Sequence, residues 1–155
     1  MRFLSFVTAC VIAAGMGTGS AQASKTVRET LQTPHGPLSI ACEERIMFGD
    51  CILTFNEFVL MDEDLRLSFD VSAGQTGSYY LLHILSGGVS CPAMLMLVDL
   101  SDPKAPLLSA EFGTCSDEPV ARLTTKGALD VRVPLWQREG TARWRYHKGA
   151  LQRLK

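Results

Sequence analysis

The sequence lacks the compact motifs that define the common catalytic and metal-binding classes. There are only three histidines, and none stands in a spacing such as His-Glu-x-x-His that brings two ligands to one metal. No serine lies in a Gly-x-Ser-x-Gly elbow, and no glycine-rich loop has the pattern that holds a phosphate or a dinucleotide. We therefore expect no catalytic residue, no metal and no cofactor, and we expect that the protein is not an enzyme.

An excess of one charge is also missing. The 155 residues hold 15 lysines and arginines against 16 aspartates and glutamates, so the net charge is −1. A general nucleic-acid binder carries a basic excess, and we therefore expect no nucleic-acid ligand. With 46% hydrophobic residues the chain is too apolar for a disordered protein, and its length fits one domain.

The long hydrophobic run at the N-terminus has the features of an export signal. Arg2 precedes the uncharged stretch 3–17, and Ala21-Gln22-Ala23 has the small-x-small pattern of a cleavage site. We predict a signal peptide over residues 1–23 and a periplasmic or secreted protein with no membrane span after cleavage. Two alternatives stay open at this stage: an uncleaved anchor, and a lipoprotein attached through Cys10.

Four cysteines remain after the predicted cleavage, and an even number in an exported protein indicates disulfides. Four cysteines allow three pairings. Closing a short loop costs less entropy than closing a long one, so proximity in the chain favours Cys42–Cys51 and Cys91–Cys115. A zinc site would need paired short spacings such as Cys-x-x-Cys, which the sequence does not contain.

Short strand-like runs separated by turns fill the rest of the chain. Residues 65–71, 129–133 and 142–147 alternate between apolar and polar side chains, as antiparallel strands with one buried face do. Residues 79–85 and 93–100 are apolar at nearly every position, which predicts two central strands buried on both faces. We predict an all-β fold: an antiparallel meander that forms a small sandwich or barrel stapled by disulfides. An isolated sheet is the weaker alternative because it would leave one face uncovered.

The predicted domain division depends on proline and glycine. Residues 24–37 contain Pro34, Gly36 and Pro37 and are interpreted as a leading arm. Residues 38–155 carry the strand pattern and are predicted to form a single β domain.

The histidines allow two hypotheses. His83 falls inside a strand predicted to be buried, so we expect a core histidine with a satisfied hydrogen bond. The competing hypothesis is a hydrolase acting on cell-envelope material through carboxylates and His83 or His147. That hypothesis requires a histidine in an open pocket beside an acid. The third histidine, His35, lies in the predicted arm.

The charges are divided unevenly along the chain. Residues 24–121 carry five basic and fourteen acidic side chains, whereas residues 122–155 carry nine basic and two acidic ones. These charges can pair within the fold; otherwise the C-terminal part presents a basic face to an envelope protein or an anionic envelope component. Arginine and aromatic residues dominate binding hot spots. The predicted binding residues are Lys126, Arg143, Trp144, Arg145 and Tyr146.

Several motifs carry resemblances to known groups. Gly87-Gly88-Val89-Ser90-Cys91-Pro92-Ala93 and Phe112-Gly113-Thr114-Cys115-Ser116-Asp117 resemble segments of small exported bacterial β-rich proteins of uncharacterised function. This resemblance implies a periplasmic β-rich protein and no particular activity. Thr125-Lys126-Gly127 resembles part of the motif of periplasmic lysozyme inhibitors, which are small disulfide-bearing β-barrels. The other element of that motif, Ser-Gly-x-x-Tyr, is represented only by Ser72-Ala73-Gly74 and Tyr79.

Together these patterns predict a non-enzymatic periplasmic binding protein. One specific form is an inhibitor or immunity-type protein that acts on an envelope-directed enzyme. In that form the loop 86–90 or the turn at Lys126-Gly127 would enter the cleft of the enzyme. The alternatives are the hydrolase and a structural envelope protein that has neither ligand nor substrate.

Overall fold

The computed structural model describes residues 25–43, 50–70, 77–85 and 88–155, and the structural statements below refer to these residues. The predicted signal peptide 1–23, the segment 72–74 and part of the loop 86–90 lie outside them. None of the described segments forms a helix with the length and hydropathy needed to cross a membrane. The strands are β1 (Thr26–Thr33), β2 (Gly36–Cys42), β3 (Cys51–Phe55), β4 (Phe58–Glu63), β5 (Arg66–Phe69), β6 (Tyr79–Leu85), β7 (Ala93–Asp99), β8 (Leu107–Leu108), β9 (Val120–Leu123), β10 (Leu129–Pro134), β11 (Thr141–His147) and β12 (Ala150–Leu154).

The strands form three antiparallel sheets of four strands each. The first sheet has the order β1-β2-β3-β4, the second β5-β6-β7-β8 and the third β9-β10-β11-β12. Within each sheet every strand pairs with its neighbours in sequence, so the predicted all-β fold of antiparallel meanders is confirmed. Each sheet has two edge strands among the described residues, so the strands form three open sheets and no closed barrel.

The second sheet lies between the other two and is covered on both faces. Side chains of β6 and β7 point alternately to opposite sides, as the period of two in a strand requires. One side packs against the first sheet in a core that includes Leu38, Ile40, Leu53, Phe55, Leu82, Ile84 and Val98. The other side packs against the third sheet in a core that includes Leu81, Leu95, Leu97, Leu129, Val131, Trp144 and Tyr146. The prediction of two central strands buried on both faces is confirmed.

The segment predicted as a leading arm contributes a full strand. β1 pairs with β2 from Thr26, opposite Cys42, to Thr33, opposite Gly36. Gly36 has φ +125°, and a Cβ at this position would lie 1.8 Å from the Asn56 side chain. These residues therefore belong to the first sheet rather than to a separate arm.

Both disulfides have the predicted pairing. Cys42 and Cys51 are register partners on β2 and β3, with a Cα–Cα distance of 4.1 Å. Cys91 and Cys115 join the segment before β7 to the segment before β9, with a Cα–Cα distance of 4.5 Å. The first bridge staples the first sheet, and the second ties the central sheet to the chain that enters the third.

Candidate binding face on the third sheet

The third sheet has one buried and one solvent-facing side because its two central strands, β10 and β11, alternate strictly. On β10, Leu129, Val131 and Val133 are buried, and the residues between them point to the other side of the sheet. β11 shows the same alternation, with Ala142, Trp144 and Tyr146 on the buried side. We call the outward side of β9–β12 the basic face. Its side chains are Val120, Arg122, Asp130, Arg132, Pro134, Thr141, Arg143, Arg145, His147, Ala150, Gln152 and Leu154.

Strand register arranges the charges of the basic face in two rows. One row runs across the sheet through Arg122, Asp130, Arg145 and Gln152. The next row runs through Val120, Arg132, Arg143 and Leu154. The two rows hold four guanidinium groups and one carboxylate, so the face carries a positive excess.

The single carboxylate of this face is engaged by one arginine. Arg145 donates from Nε to Oδ1 of Asp130 at 2.6 Å and from Nη2 to Oδ2 at 2.9 Å. This hydrogen bonding lowers the pKa of Asp130, and the positive charges of Arg145, Arg143 and Arg132 lower it further. Asp130 therefore stays ionised and neutralises Arg145, while the positive charges of Arg122, Arg132 and Arg143 remain in excess.

Three open depressions lie on or beside the basic face. The largest has a volume of about 600 Å³, and its lining includes Thr124, Thr125, Lys126, Arg145, His147 and Gln152. The second, about 470 Å³, is lined in part by Arg122, Asp130, Arg132 and Thr141. The third, about 470 Å³, is lined in part by Thr141, Arg143, Arg153 and Lys155. Each depression brings at least two basic side chains together, so each suits an anionic group.

The structure separates the predicted binding residues into two groups. Lys126 is exposed in the turn between β9 and β10, and Arg143 and Arg145 lie on the basic face. Trp144 and Tyr146 point inward and are only 6% and 1% exposed. This corrects the prediction that the two aromatic rings take part in the binding surface, because strand alternation places them in the core.

The two inward aromatic side chains attach the third sheet to the rest of the molecule. The Trp144 ring packs against Phe112 with the ring centroids 5.5 Å apart, and the guanidinium of Arg153 lies 5.7 Å from its centroid. The hydroxyl of Tyr146 donates to Oδ2 of Asp99 at 2.9 Å. The outer surface instead carries three residues that were not predicted from the sequence: Arg122, Arg132 and Thr141. The alternating pattern of β10 indicates that Arg132 faces outward.

The histidines among the described residues do not meet the requirement of the hydrolase hypothesis. His83 is largely buried, with 14% of its side chain exposed, and its Nε2 lies 3.6 Å from Oδ2 of Asp70. That distance is too long for a hydrogen bond, and Nε2 makes none, so the expectation of a satisfied core histidine is wrong for this atom. His147 is exposed beside the largest depression, which no carboxylate lines. His35 is exposed in the turn between β1 and β2.

Metal-ligating side chains do not cluster in this part of the chain. Among the described residues no group of three or more histidine, cysteine, aspartate or glutamate side chains could hold a metal ion.

Comparisons with known proteins add no relative: no family profile, no curated protein and no solved structure matches the chain.

Proposed function

We propose that this protein is a non-catalytic binding protein of the periplasm or the extracellular space, and that it holds an acidic protein partner on the basic face. The observation that carries this proposal is the arrangement of four arginines and one aspartate on the outer side of the third sheet. Such a surface attracts negatively charged partners and selects against positively charged ones.

The two disulfides support the exported location. Structural disulfides form and persist in oxidising compartments and are rare in the cytosol. Cys42–Cys51 and Cys91–Cys115 pair all four cysteines of the predicted mature chain. The N-terminal sequence, with its cleavage-site pattern, points to the same compartment.

The ion pairs of the fold leave the basic face available to a partner. The uneven distribution of charge along the sequence allows internal pairing between the acidic and the basic part. Among the described residues, however, Lys25 pairs with Asp62 within the acidic part, and Arg145 pairs with Asp130 within the basic part. The positive excess of the third sheet is therefore displayed on the surface.

The composition of the face favours a protein partner over a small molecule. The four cationic side chains on its strands are all arginine, which is enriched at protein interfaces, whereas lysine is depleted there. Val120, at the end of the arginine row, is 50% exposed and adds apolar contact area. Pockets for small molecules bury about 70–90% of their ligand, but these depressions are open and lie on a broad sheet.

The test uses the tagged mature protein, with its disulfides intact, to capture partners from a periplasmic and envelope extract. We expect one stoichiometric acidic protein, a complex that re-forms from the two purified proteins, and a dissociation constant that rises with salt. Arg122→Glu with Arg143→Glu should weaken this complex by roughly tenfold or more. The matched control, Arg66→Glu with Lys104→Glu, makes the same change of charge away from the face and should keep the affinity. A partner held equally well by both variants, or no partner at all, would contradict the proposal.

The inhibitor form of this function has one observation in its favour. Tyr79, which belongs to one element of the lysozyme-inhibitor resemblance, donates its hydroxyl at 3.1 Å to the carbonyl of Gly127, which belongs to the other. Lys126 in the same turn is exposed and lines the largest depression. Lysozyme activity should fall when the purified protein is added and recover with Lys126→Ala. Unchanged activity at micromolar excess eliminates this form for the lysozymes assayed.

A further inference from the structure

We propose that Arg132 and Arg143 together form the site that binds a carboxylate of the acidic protein partner. This inference rests on the proposed function and names the contact at its centre. It adds Arg132 to the binding residues and assigns Arg143 a specific ligand.

Strand register places the two arginines directly opposite each other. Arg132 on β10 and Arg143 on β11 are Cα partners, and the residues on either side of each one are buried. Directly opposite side chains of an antiparallel pair have Cβ atoms about 4.5–5.5 Å apart, and like charges in such a pair repel. Two guanidinium groups are therefore held close together on the outer surface, where an anion between them would relieve the repulsion.

The carboxylate on the basic face does not fulfil this role. Asp130 lies two residues from Arg132 and gives both of its oxygens to Arg145. Nε of Arg143 is buried and makes no hydrogen bond within the described part of the chain. No hydrogen bond therefore ties this nitrogen to Asp130, and a carboxylate oxygen is the acceptor that a guanidinium binds best.

The surroundings of the pair favour a carboxylate on a protein surface. Val120 and Leu154 end the same row on either side, and such apolar neighbours exclude water around a central charged contact. Depressions lie on both sides of the pair, and Thr141 lines both of them and adds a hydroxyl. A partner side chain can thus reach the two guanidinium groups while its backbone rests on the open sheet.

The test replaces the guanidinium groups without removing their charge. Arg132→Lys with Arg143→Lys keeps both positive charges but loses the planar fork that binds a carboxylate through two hydrogen bonds. The matched control is Arg66→Lys with Arg138→Lys, because both arginines are exposed and lie off the basic face. Binding of poly-L-glutamate to the full mature protein is measured by calorimetry at two salt concentrations. Circular dichroism and thermal unfolding establish that each variant is folded.

We expect the double lysine variant to bind poly-L-glutamate about tenfold more weakly than the unaltered protein or the control. The Nε–H resonance of Arg143 should also shift when poly-L-glutamate is added. Equal binding by the double lysine variant, with an unmoved resonance, overturns this site but leaves the proposed acidic partner in place. No binding of poly-L-glutamate to the unaltered protein overturns both proposals. Binding of inorganic phosphate instead of poly-L-glutamate overturns the assignment of a protein carboxylate as the ligand of the two arginines.

Discussion

Replacing Tyr146 with phenylalanine removes one hydroxyl from the contact between the third sheet and the central sheet. Tyr146 on β11 is 1% exposed, and its hydroxyl donates to the carboxylate of Asp99 at the end of β7. The other carboxylate oxygen accepts the backbone N–H of Ser101 at 2.8 Å. Phenylalanine keeps the ring and its edge contact with Tyr79, whose centroid lies 5.6 Å away, so only the hydrogen bond is lost.

The expected cost follows from the charge and burial of the acceptor. A hydrogen bond to a charged group contributes about 1.5–3 kcal/mol, and a buried carboxylate oxygen left without its donor keeps its desolvation penalty. We expect Tyr146→Phe to lower the free energy of unfolding by about 2 kcal/mol. For a domain of this size, that corresponds to a fall in Tm of roughly 6–10 °C.

The assay is urea unfolding of the oxidised protein at neutral pH, with an unchanged m-value as evidence that the unfolded state is the same. Tyr79→Phe is the matched control, since Tyr79 is also buried on β6 and its hydroxyl donates to the neutral carbonyl of Gly127 at 3.1 Å. Losing that neutral hydrogen bond should cost about 1 kcal/mol. If Tyr146→Phe costs no more than Tyr79→Phe, the reasoning about the charged acceptor is refuted.

Alkaline pH tests the same contact in a second way. Burial raises the pKa of Tyr146, and the hydrogen bond and negative charge of Asp99 raise it further. The folded protein therefore holds this proton more tightly than the unfolded chain does. The resulting stability is fully present below the ordinary tyrosine pKa of about 10 and is lost as the pH rises above it. Phenylalanine has no proton to lose at this position. The difference in free energy of unfolding between the unaltered protein and Tyr146→Phe should therefore become smaller above about pH 10.

Four further outcomes are expected. Asp130→Asn should unfold more easily than the unaltered protein near pH 6 but not near pH 2, because a lowered pKa gives stability that is lost on acidification. The same variant removes the negative charge of Asp130 from the basic face and should bind poly-L-glutamate more tightly in calorimetry; weaker binding contradicts the electrostatic argument. Replacing Cys91–Cys115 by serines should destabilise the protein by about 1 kcal/mol more than replacing Cys42–Cys51, because loop entropy grows with separations of 24 against 9 residues. Gly36→Ala should cost more than about 1 kcal/mol in urea unfolding because of its positive φ and the adjacent Asn56, and a neutral effect would argue against this turn.

The features of the fold that depend on local pattern were predictable. The apolar runs of β6 and β7 and the short spacing between cysteines led to the central strands and the disulfide pairing. The division into three sheets was not predictable, because alternation shows which side of a strand is buried but not which sheet covers it. β1 escaped recognition because it is an edge strand whose described side chains are mostly exposed, so it has no hydrophobic signature.

The candidate site, like the fold, was only partly predictable from the sequence. The alternation of residues 142–147 already placed Trp144 and Tyr146 on one side and Arg143 and Arg145 on the other. Selecting all four by residue type alone ignored this pattern, and the two aromatic residues are in the core. Arg132 becomes notable only when the register sets it opposite Arg143, because their separation in sequence gives no indication of contact.

Burial of the central sheet on both sides has a consequence for how the chain reaches its native state. All but one of the seven residues of β7 are buried, and β6 is nearly as apolar. Strands of this kind are prone to aggregate whenever they are exposed with unpaired edges. The first sheet can shelter only one side of them, and the third sheet, made last in the chain, shelters the other. We therefore expect C-terminal truncations that remove β11 and β12 to give insoluble aggregates, whereas the complete chain unfolds in one cooperative step.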